Sequence, residues 1–368
     1  MAGNCHGCPQ RAMHRSARDD WGRTPVTTIP IESVGELTTV SSREAVVHQG
    51  FEIRRFTGLT PDTDHEIDGF TFRTLPEPGE RLCTFATVND VHFGETICGL
   101  VEGHPEVGPV FSAAPGDPPY PETMNHAAIA EITALDPVAV VVKGDLTSHG
   151  TMEEYEAFLA AYEGAFGDRL TVVRGNHESY HELAVADEPV QEVELPGVRL
   201  VVLDTSLPRA PHGGVSAEQL ERLDAIGADS DRPVVVLGHH HPWNPASAER
   251  PARYFGILPD DAERLVEVVA RRPTIVGYFA GHTHRNRVRR FPATDAVPWV
   301  EVACVKDYPG AWAEYRVHEG GILQIVHRIS TPEALRWTEQ TRQMFHGLYA
   351  QYAFGSLADR CFVFGRPG

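Results

Sequence analysis

Five short polar clusters gather the residue types that hold metal ions and move protons. In chain order they are Asp90-Val91-His92, Gly144-Asp145, Gly175-Asn176-His177-Glu178, Gly238-His239-His240-His241-Pro242 and Gly281-His282-Thr283-His284. Imidazole nitrogen together with carboxylate oxygen suits zinc, iron or manganese and favours none of the three. In an extended segment residues i and i+2 project to the same side. Asp90 with His92, and His282 with His284, can therefore each present two donors to one ion. Taken singly the clusters say little. Asp-x-His recurs by chance, Gly-Asp often marks a turn, and a run of histidines can be a structural accident. Three adjacent imidazoles nevertheless crowd one another unless something binds them.

What joins the clusters is their position. Each follows an apolar, strand-like run: Cys83–Val88, Val138–Val142, Leu170–Val173, Val234–Leu237 and Thr274–Phe279, with a further strand at Val198–Leu203. Helical patterns alternate with them at Glu122–Leu135, Met152–Phe166, Ala217–Ile226 and Asp260–Arg271. That alternation predicts a layered α/β domain. Ligands in such sheets bind beyond the carboxyl ends of the strands. Five clusters at one topological position weigh more than any of them alone. More β-prone runs at Val297–Val302, Ala313–Val317 and Ile322–Ile329 predict a sheet finished by antiparallel strands.

The ordered set resembles the calcineurin-like metallophosphoesterase superfamily, whose signature runs Asp-x-His, Gly-Asp, Gly-Asn-His-(Asp/Glu), His, then Gly-His-x-His. All of it falls within residues 90–284. The resemblance implies a four-layer β-sandwich flanked by helices and two divalent ions (Mn, Fe or Zn) sharing one carboxylate. Carried over, Asp145 bridges; Asp90, His92 and His284 complete one site; Asn176, His240 and His282 complete the other. The extra His239 leaves the fourth motif ambiguous by one residue. His177 then serves as the catalytic residue beside the leaving oxygen, with a hydrogen-bonding role behind the ligands as the alternative. An uncharged Asn176 leaves such a centre net positive and attractive to a phosphate ester. Two ions clamp the attacking and leaving oxygens and bring a shared water toward a pKa of about 7. Purple acid phosphatases carry Gly where His92 stands, and a Tyr after the second motif where this chain reads Leu146-Thr147-Ser148-His149. The set instead looks like class III cyclic-nucleotide phosphodiesterases and glycerophosphodiesterases. That implies hydrolysis of small phosphodiesters, with monoesters also in reach, by attack of a metal-bound hydroxide. A nuclease with the same core and a non-catalytic metal-binding scaffold are the alternatives. Arg174, Trp243 and Tyr308 are candidate substrate contacts; an ion pair at Arg174 and packing at Tyr308 are the competing readings.

The rest of the chain bounds this expectation. Among 368 residues, 51 acidic side chains face 32 basic ones, for a net charge of −19. That balance argues against nucleic acid and anionic membranes as partners; the resemblance implies a small phosphoester substrate, and a homo-oligomer is compatible with the composition. No stretch approaches 18 uncharged apolar residues, and Met1–Gln10 lacks the apolar core of a secretion signal. Six cysteines make no disulfide scaffold, so a cytoplasmic setting is expected. Cys5 and Cys8 with His14 fall short of a zinc clip, lacking a second cysteine pair nearby. Residues 1–23 read as a flexible arm. Residues 24–80 read as a small β module, with strands at Val26–Ile31, Ala45–His48, Phe51–Phe56 and Phe70–Thr74; its last part resembles a fibronectin-III-like sandwich of the kind that precedes purple acid phosphatase domains. The catalytic domain spans 81–330, and 331–368 forms a helical extension in which Met344, Phe345, Leu348, Tyr349 and Tyr352 make one apolar stripe. The Pro/Gly-rich stretch between Gly94 and Glu122 reads as a long functional loop at the substrate rim.

Overall fold

Apolar β-branched runs flanked by glycine form strands that are buried on both faces, and these strands build two sheets. The computed structural model describes residues 34–365 apart from Glu102. The Cys5–Cys8 segment, His14 and the expected strand Val26–Ile31 lie outside the described residues. The first strands are β1 (Glu36–Val40), β2 (Glu44–Gln49), β3 (Glu52–Thr57), β4 (Asp64–Ile67), β5 (Phe70–Arg73) and β6 (Arg81–Val88). Helix α1 (Tyr120–Leu135) leads to β7 (Ala139–Lys143), α2 (Met152–Phe166), β8 (Leu170–Val173) and the short α3 (Asn176–Tyr180). Then come β9 (Val190–Leu195), β10 (Val198–Leu203), α4 (Ala217–Asp229), β11 (Val234–Gly238), α5 (Pro259–Arg271) and β12 (Ile275–Ala280). The last elements are β13 (Arg287–Arg290), β14 (Pro298–Glu301), β15 (Ala311–His318), β16 (Gly321–Arg328), α6 (Pro332–Thr341), α7 (Leu348–Phe354), α8 (Leu357–Arg360) and β17 (Cys361–Phe364).

One six-stranded sheet runs β17-β16-β15-β6-β7-β8 and the other β13-β14-β12-β11-β10-β9. The pairs β6–β7, β7–β8 and β11–β12 are parallel, and β15 and β16 are antiparallel, so each sheet is mixed. Alternation along the strands divides the side chains between two faces. Phe85, Val141, Leu200, Val202, Val235, Phe279 and Tyr315 meet between the sheets. On the outer face of the first sheet Val140 and Val142 pack against Met124 and Ile132 of α1 and Phe158 and Tyr162 of α2. On the outer face of the second, Val201 and Val236 pack against Leu223 of α4 and Leu265 and Val269 of α5. The result is four layers, helices–sheet–sheet–helices, whose strands carry near-continuous apolar runs because both faces are covered. Among the described residues no helix is long and apolar enough to cross a membrane.

Two regions depart from expectation. The N-terminal strands form a three-stranded sheet β1-β2-β3 and a separate hairpin β4-β5. They belong to one compact unit with everything from Val34 onward. Arg360 ties them to the C-terminal segment: its buried guanidinium donates to the carbonyls of Leu37, Thr38, Phe354 and Gly355 at 2.7–3.1 Å. The C-terminal stretch is not one helix. Phe345 and His346 adopt left-handed backbone (φ 51° and 55°), and Gly347 (φ 85°) turns the chain into α7. Met344 and Tyr349 are buried while Leu348 is 64% exposed, so the expected single stripe is broken at that turn. The chain then closes as β17 on the edge of the first sheet. The long loop after β6 is pinned to this turn: Cys98 and Phe111 exchange backbone hydrogen bonds, and His346 Nε2 donates to the Glu106 carbonyl at 3.0 Å.

His48 sits at the seam between β2 and the segment after β16. Its Nδ1 lies 2.8 Å from Thr38 Oγ1 and its Nε2 3.1 Å from Ser330 Oγ. Burial, with Arg328 nearby, pushes its pKa down to about 3 from 6.5. Below about pH 6.5 the unfolded chain takes up a proton at His48 that the folded chain refuses, so stability is full above that pH and falls as pH drops toward 3. Relative to a His48→Asn variant, the natural protein should lose about 1.4 kcal/mol per pH unit between pH 6 and pH 4. Urea midpoints at several pH values measure it; a constant difference between the two proteins rules the titration out.

Candidate metal centre

The five clusters meet where the carboxyl ends of β6, β7 and β8 in one sheet face those of β11 and β12 in the other. The backbone that delivers them is not the extended chain assumed from the i, i+2 spacing. Asp90 (φ 55°), His92 (50°), Asp145 (49°), His282 (68°) and His284 (53°) all lie in the left-handed region. Such conformations cost a side-chain-bearing residue on the order of 1 kcal/mol each and persist where surrounding structure fixes them. Here the fixing is visible. Asp90 N–H donates to the Gly144 carbonyl, His92 N–H to the Asp145 carbonyl and Phe93 N–H to the Leu146 carbonyl. The His282 N–H donates to both oxygens of Asp90, at 2.9 and 3.1 Å. Two motif glycines are required by close approach: a Cβ on Gly175 would stand 2.3 Å from Asp145, and one on Gly144 2.3 Å from His239 Nδ1.

Asp145 stands between two groups of donors. Its Oδ1 is 3.3 Å from His239 Nε2, which is also 3.1 Å from Asn176 Oδ1. Its Oδ2 is 3.6 Å from His92 Nε2, and His284 Nε2 is 3.6 Å from Asp90 Oδ1. Asp90, His92, Asp145 and His284 offer ligand atoms within 4.8 Å of one another, as do His239, His240 and His282. All but His284 are buried. The nitrogens His92 Nδ1 and Nε2, His240 Nε2 and His282 Nε2 have no hydrogen-bond partner. Buried polar atoms are ordinarily paired, so lone pairs converging on one another mark places for a cation. The donor set fits divalent metal.

Electrostatics agree. Burial holds His92, His240 and His282 well below the usual imidazole pKa, which keeps them neutral and able to donate lone pairs. Burial works against charge on Asp145, but His239 and His177 beside it hold its carboxyl well below the usual range. His239 is pushed up to about 9, burial being overcome by Asp145 and Asp90. Its Nδ1 is 2.9 Å from the Lys143 carbonyl, which can only accept. The Nδ1 proton is therefore fixed, and a neutral His239 would turn its Nε2 lone pair toward Asp145 and Asn176. His240 is held differently, with Nδ1 at 2.9 Å from Thr205 Oγ1.

The remaining candidates separate. His177 opens α3 from the same turn as Asn176; its Nδ1 donates to the Ser148 carbonyl at 2.7 Å, and its ring lies edge-on to His92 at 4.6 Å. Its side chain is 34% exposed and its Nε2 is 4.0 Å from Asp145, so Nε2 is the free end. Arg174 is paired with Asp204 at 2.8 Å. Trp243 is 5% exposed and packs in the core beside α4 and α5. Tyr308 is wholly buried, its hydroxyl donating to Glu36 at 2.8 Å and its ring lying against Arg342 and Arg328, which leaves it no face for a substrate.

Three residues at the centre were given no role by the sequence. Asp307 lies 3.8 Å behind His284 Nδ1 and is itself held by Lys306 at 3.0 Å and the Tyr349 hydroxyl at 2.6 Å. The signal was present in Lys306-Asp307-Tyr308, but it pointed to the tyrosine. Thr147 donates through both N–H and Oγ1 to Glu178 (2.7 and 2.6 Å), which also accepts from Gly175 N–H at 2.7 Å. The glutamate of the third motif thus clips two ligand loops together. Phe255, 57% exposed, stacks on His282 with ring centroids 3.9 Å apart and gives the centre an apolar rim.

Known proteins are similar to this chain in sequence and in fold. Residues 83–286 match the family model of the calcineurin-like phosphoesterases. Among curated proteins, the chain is 28% identical over 182 residues to the glycerophosphodiester phosphodiesterase GpdQ of Enterobacter lignolyticus, covering 45% of this chain and 64% of that one. It is 31% identical over 163 residues to a cAMP/cGMP dual specificity phosphodiesterase of Mycobacterium tuberculosis, covering 41% and 50%. The chain thus spans less than two thirds of the length of either relative. A dimetal phosphatase from Danio rerio shares the fold with a TM-score of 0.52 at 15% identity over 68% of this chain and 98% of that one. So does purple acid phosphatase PPD1 from yellow lupin, with a TM-score of 0.50 at 15% identity over 76% and 60%. The family match takes in more than half of the sequence and every one of the five converging clusters, and the chain belongs to the calcineurin-like phosphoesterases.

Proposed function

We propose that this protein is a metal-dependent phosphodiesterase acting on small phosphodiesters, of the cyclic-nucleotide or glycerophosphodiester type, with phosphomonoesters as further substrates. The observation that carries the reading is Asp145: its two oxygens face two separate groups of nitrogen and oxygen donors, Asn176 and His239 on one side and His92 on the other. One ion would be held by Asp90, His92, His284 and Asp145, the other by Asp145, Asn176, His282 and the histidine run. Within that run we take His239, whose Nε2 already meets Asp145 and Asn176, as the ligand; His240, with its Nδ1 at Thr205 and its Nε2 without a partner, is the alternative. Divalent ions bound there supply Lewis acidity toward the phosphoryl oxygens and acidify water near neutral pH.

The chain's own residues do the rest. Asp90 and Asp145 are the carboxylates of the set and Asn176 adds none, so the centre keeps net positive charge for an anionic ester. His177, fixed through Nδ1–H on the Ser148 carbonyl, presents Nε2 to the leaving oxygen; as the imidazolium, with both ring nitrogens protonated, it passes the Nε2 proton there and becomes the neutral imidazole. Glu178 holds the His177 turn against the Asp145 loop through Thr147. The phosphodiesterases named among the relatives and the His92 position, where the purple acid phosphatases carry glycine, support diesters as the substrate class.

Three outcomes test this. Asp145→Ala should lose bound metal and nearly all turnover of bis(p-nitrophenyl) phosphate; full metal content with normal turnover would remove the site. His239→Ala should bind one equivalent of metal fewer than the natural protein, while His240→Ala keeps the full complement; the reverse pattern, read by elemental analysis, moves the ligand to His240. His177→Ala should retain its metal and slow kcat by roughly 10²–10⁴-fold on a diester with a poor leaving group, with a smaller loss on a p-nitrophenyl ester, whose leaving oxygen needs no proton. Equal losses on both substrates would exclude a proton donor.

A further inference from the structure

Next to the metal centre the chain from Pro242 to Gly256 encloses a cavity of about 350 Å³, lined in part by Trp243, Asn244, Glu249, Tyr254, Arg287 and Arg289. The cavity shares a wall with the centre. The Tyr254 ring meets His241 at 5.2 Å, and the next residue, Phe255, is the one stacked on His282. Its floor is the edge strand β13, which with Arg285 places four arginines within six residues of a chain whose net charge is −19.

The carboxylate that answers them is Glu301, which is buried. It accepts from Arg285 at 2.9 and 3.0 Å and from the Thr283 hydroxyl at 2.9 Å. Arg289 Nε stands 3.3 Å from Glu301 yet makes no hydrogen bond, and its side chain is only 11% exposed. Its one hydrogen bond runs from the guanidinium to the Pro242 carbonyl at 2.8 Å. Arg290 turns to the Ala296 carbonyl. Arg287 has no carboxylate partner among the described residues and borders the cavity. Burial lowers the pKa of Arg289, and Arg287 and Arg285 push it the same way against Glu301. Arg285 and Arg289 thus share one buried carboxylate while Arg287 beside the open cavity has none among the described residues, so positive charge is in excess there. An oxyanion in the cavity would offset it, because the guanidinium fork matches carboxylate and phosphate geometry. Glu249 is exposed and is the carboxylate lining the cavity, opposing such a ligand from one side.

We propose that this cavity is an accessory oxyanion site, in which Arg287 and Arg289, between Trp243 and Tyr254, bind a phosphate or carboxylate group next to the catalytic metals. Two sources share that chemistry: a second anionic group on the substrate, and free inorganic phosphate. The first source rests on the phosphodiesterase reading; the site itself does not.

Two arms distinguish them, using the metal-loaded protein and the exposed position Arg287. In the kinetic arm, bis(p-nitrophenyl) phosphate is compared with a p-nitrophenyl diester whose second arm ends in a carboxylate. Arg287→Ala should change kcat/KM on the first by less than twofold and lower it on the second by about tenfold or more, through KM, with Arg287→Glu lower still. In the binding arm, inorganic phosphate is titrated calorimetrically. Two binding events in the natural protein and one in Arg287→Glu assign the site to free phosphate. A response in either arm supports the oxyanion site and names its source. Unchanged selectivity together with unchanged phosphate stoichiometry overturns it. Loss of turnover on both diesters in the natural protein defeats only the hydrolytic reading, since the calorimetric arm still reports on the cavity.

Discussion

Lone pairs and negative charge converging among buried side chains are the constraint around which this molecule is built. His239 Nε2 lies 3.1 Å from Asn176 Oδ1 and 3.3 Å from Asp145 Oδ1, two oxygens that only accept. Without a cation, a proton must occupy the gap, which is why His239 is held charged up to about pH 9. A cation held by these three atoms, as proposed above, would take the place of that proton, and its binding would then be coupled to proton release at His239. The backbone is arranged to the same end, since Asp90, His92, Asp145, His282 and His284 all occupy left-handed conformations. Five such residues store strain that isolated loops would relieve. Two sheets packed through Phe85, Val141, Val235 and Phe279 keep them from doing so.

Neither sheet owns the centre. The first delivers Asp90, His92, Asp145 and Asn176 from β6, β7 and β8, and the second delivers His239, His282 and His284 from β11 and β12. Cross-connections hold the halves in register: the His282 N–H on Asp90, the buried Lys143 Nζ on the Ala280 carbonyl at 3.1 Å, and His239 Nδ1 on the Lys143 carbonyl. Lys143 shows how tightly that seam is closed, for burial pushes its ammonium down to about 7. A ligand set split this way depends on the packing between the layers, so core substitutions distant from the ions can displace them.

The strands that carry the clusters were legible because each is a short apolar run ended by glycine or a polar turn; β6, β7, β8, β11 and β12 fall within two residues of where the pattern puts them. Elements with weak apolar signals were not. β13 reads Arg-Val-Arg-Arg and became a strand only because β14 lay beside it, and β17 is four residues whose partner, β16, lies far along the chain. The paired donors Asp90/His92 and His282/His284 were recognised through an extended-chain argument that the left-handed backbone does not follow; the residue types were informative where the periodicity was not. Side chains that act through others, such as Asp307 behind His284 or Thr147 on Glu178, have no spacing that betrays them. Their partners come from different loops, and only the folded chain brings them together.

The charge distribution carries the last step. Under the reading proposed above, the substrate is a small anion approaching a chain of net charge −19. A uniform field of that sign would repel it. Positive charge would instead be placed at the centre itself, where the ions would sit among His92, His239, His240, His282 and His284. Low-dielectric walls such as Phe255 and Trp243 concentrate that local field, while salt screens the distant acidic surface within about 8–10 Å. A small diester feels the attraction once it is near the rim. An extended polyphosphate would lie across the acidic exterior as well, paying for every contact beyond the cleft. The same charge arrangement that admits the one disfavours the other.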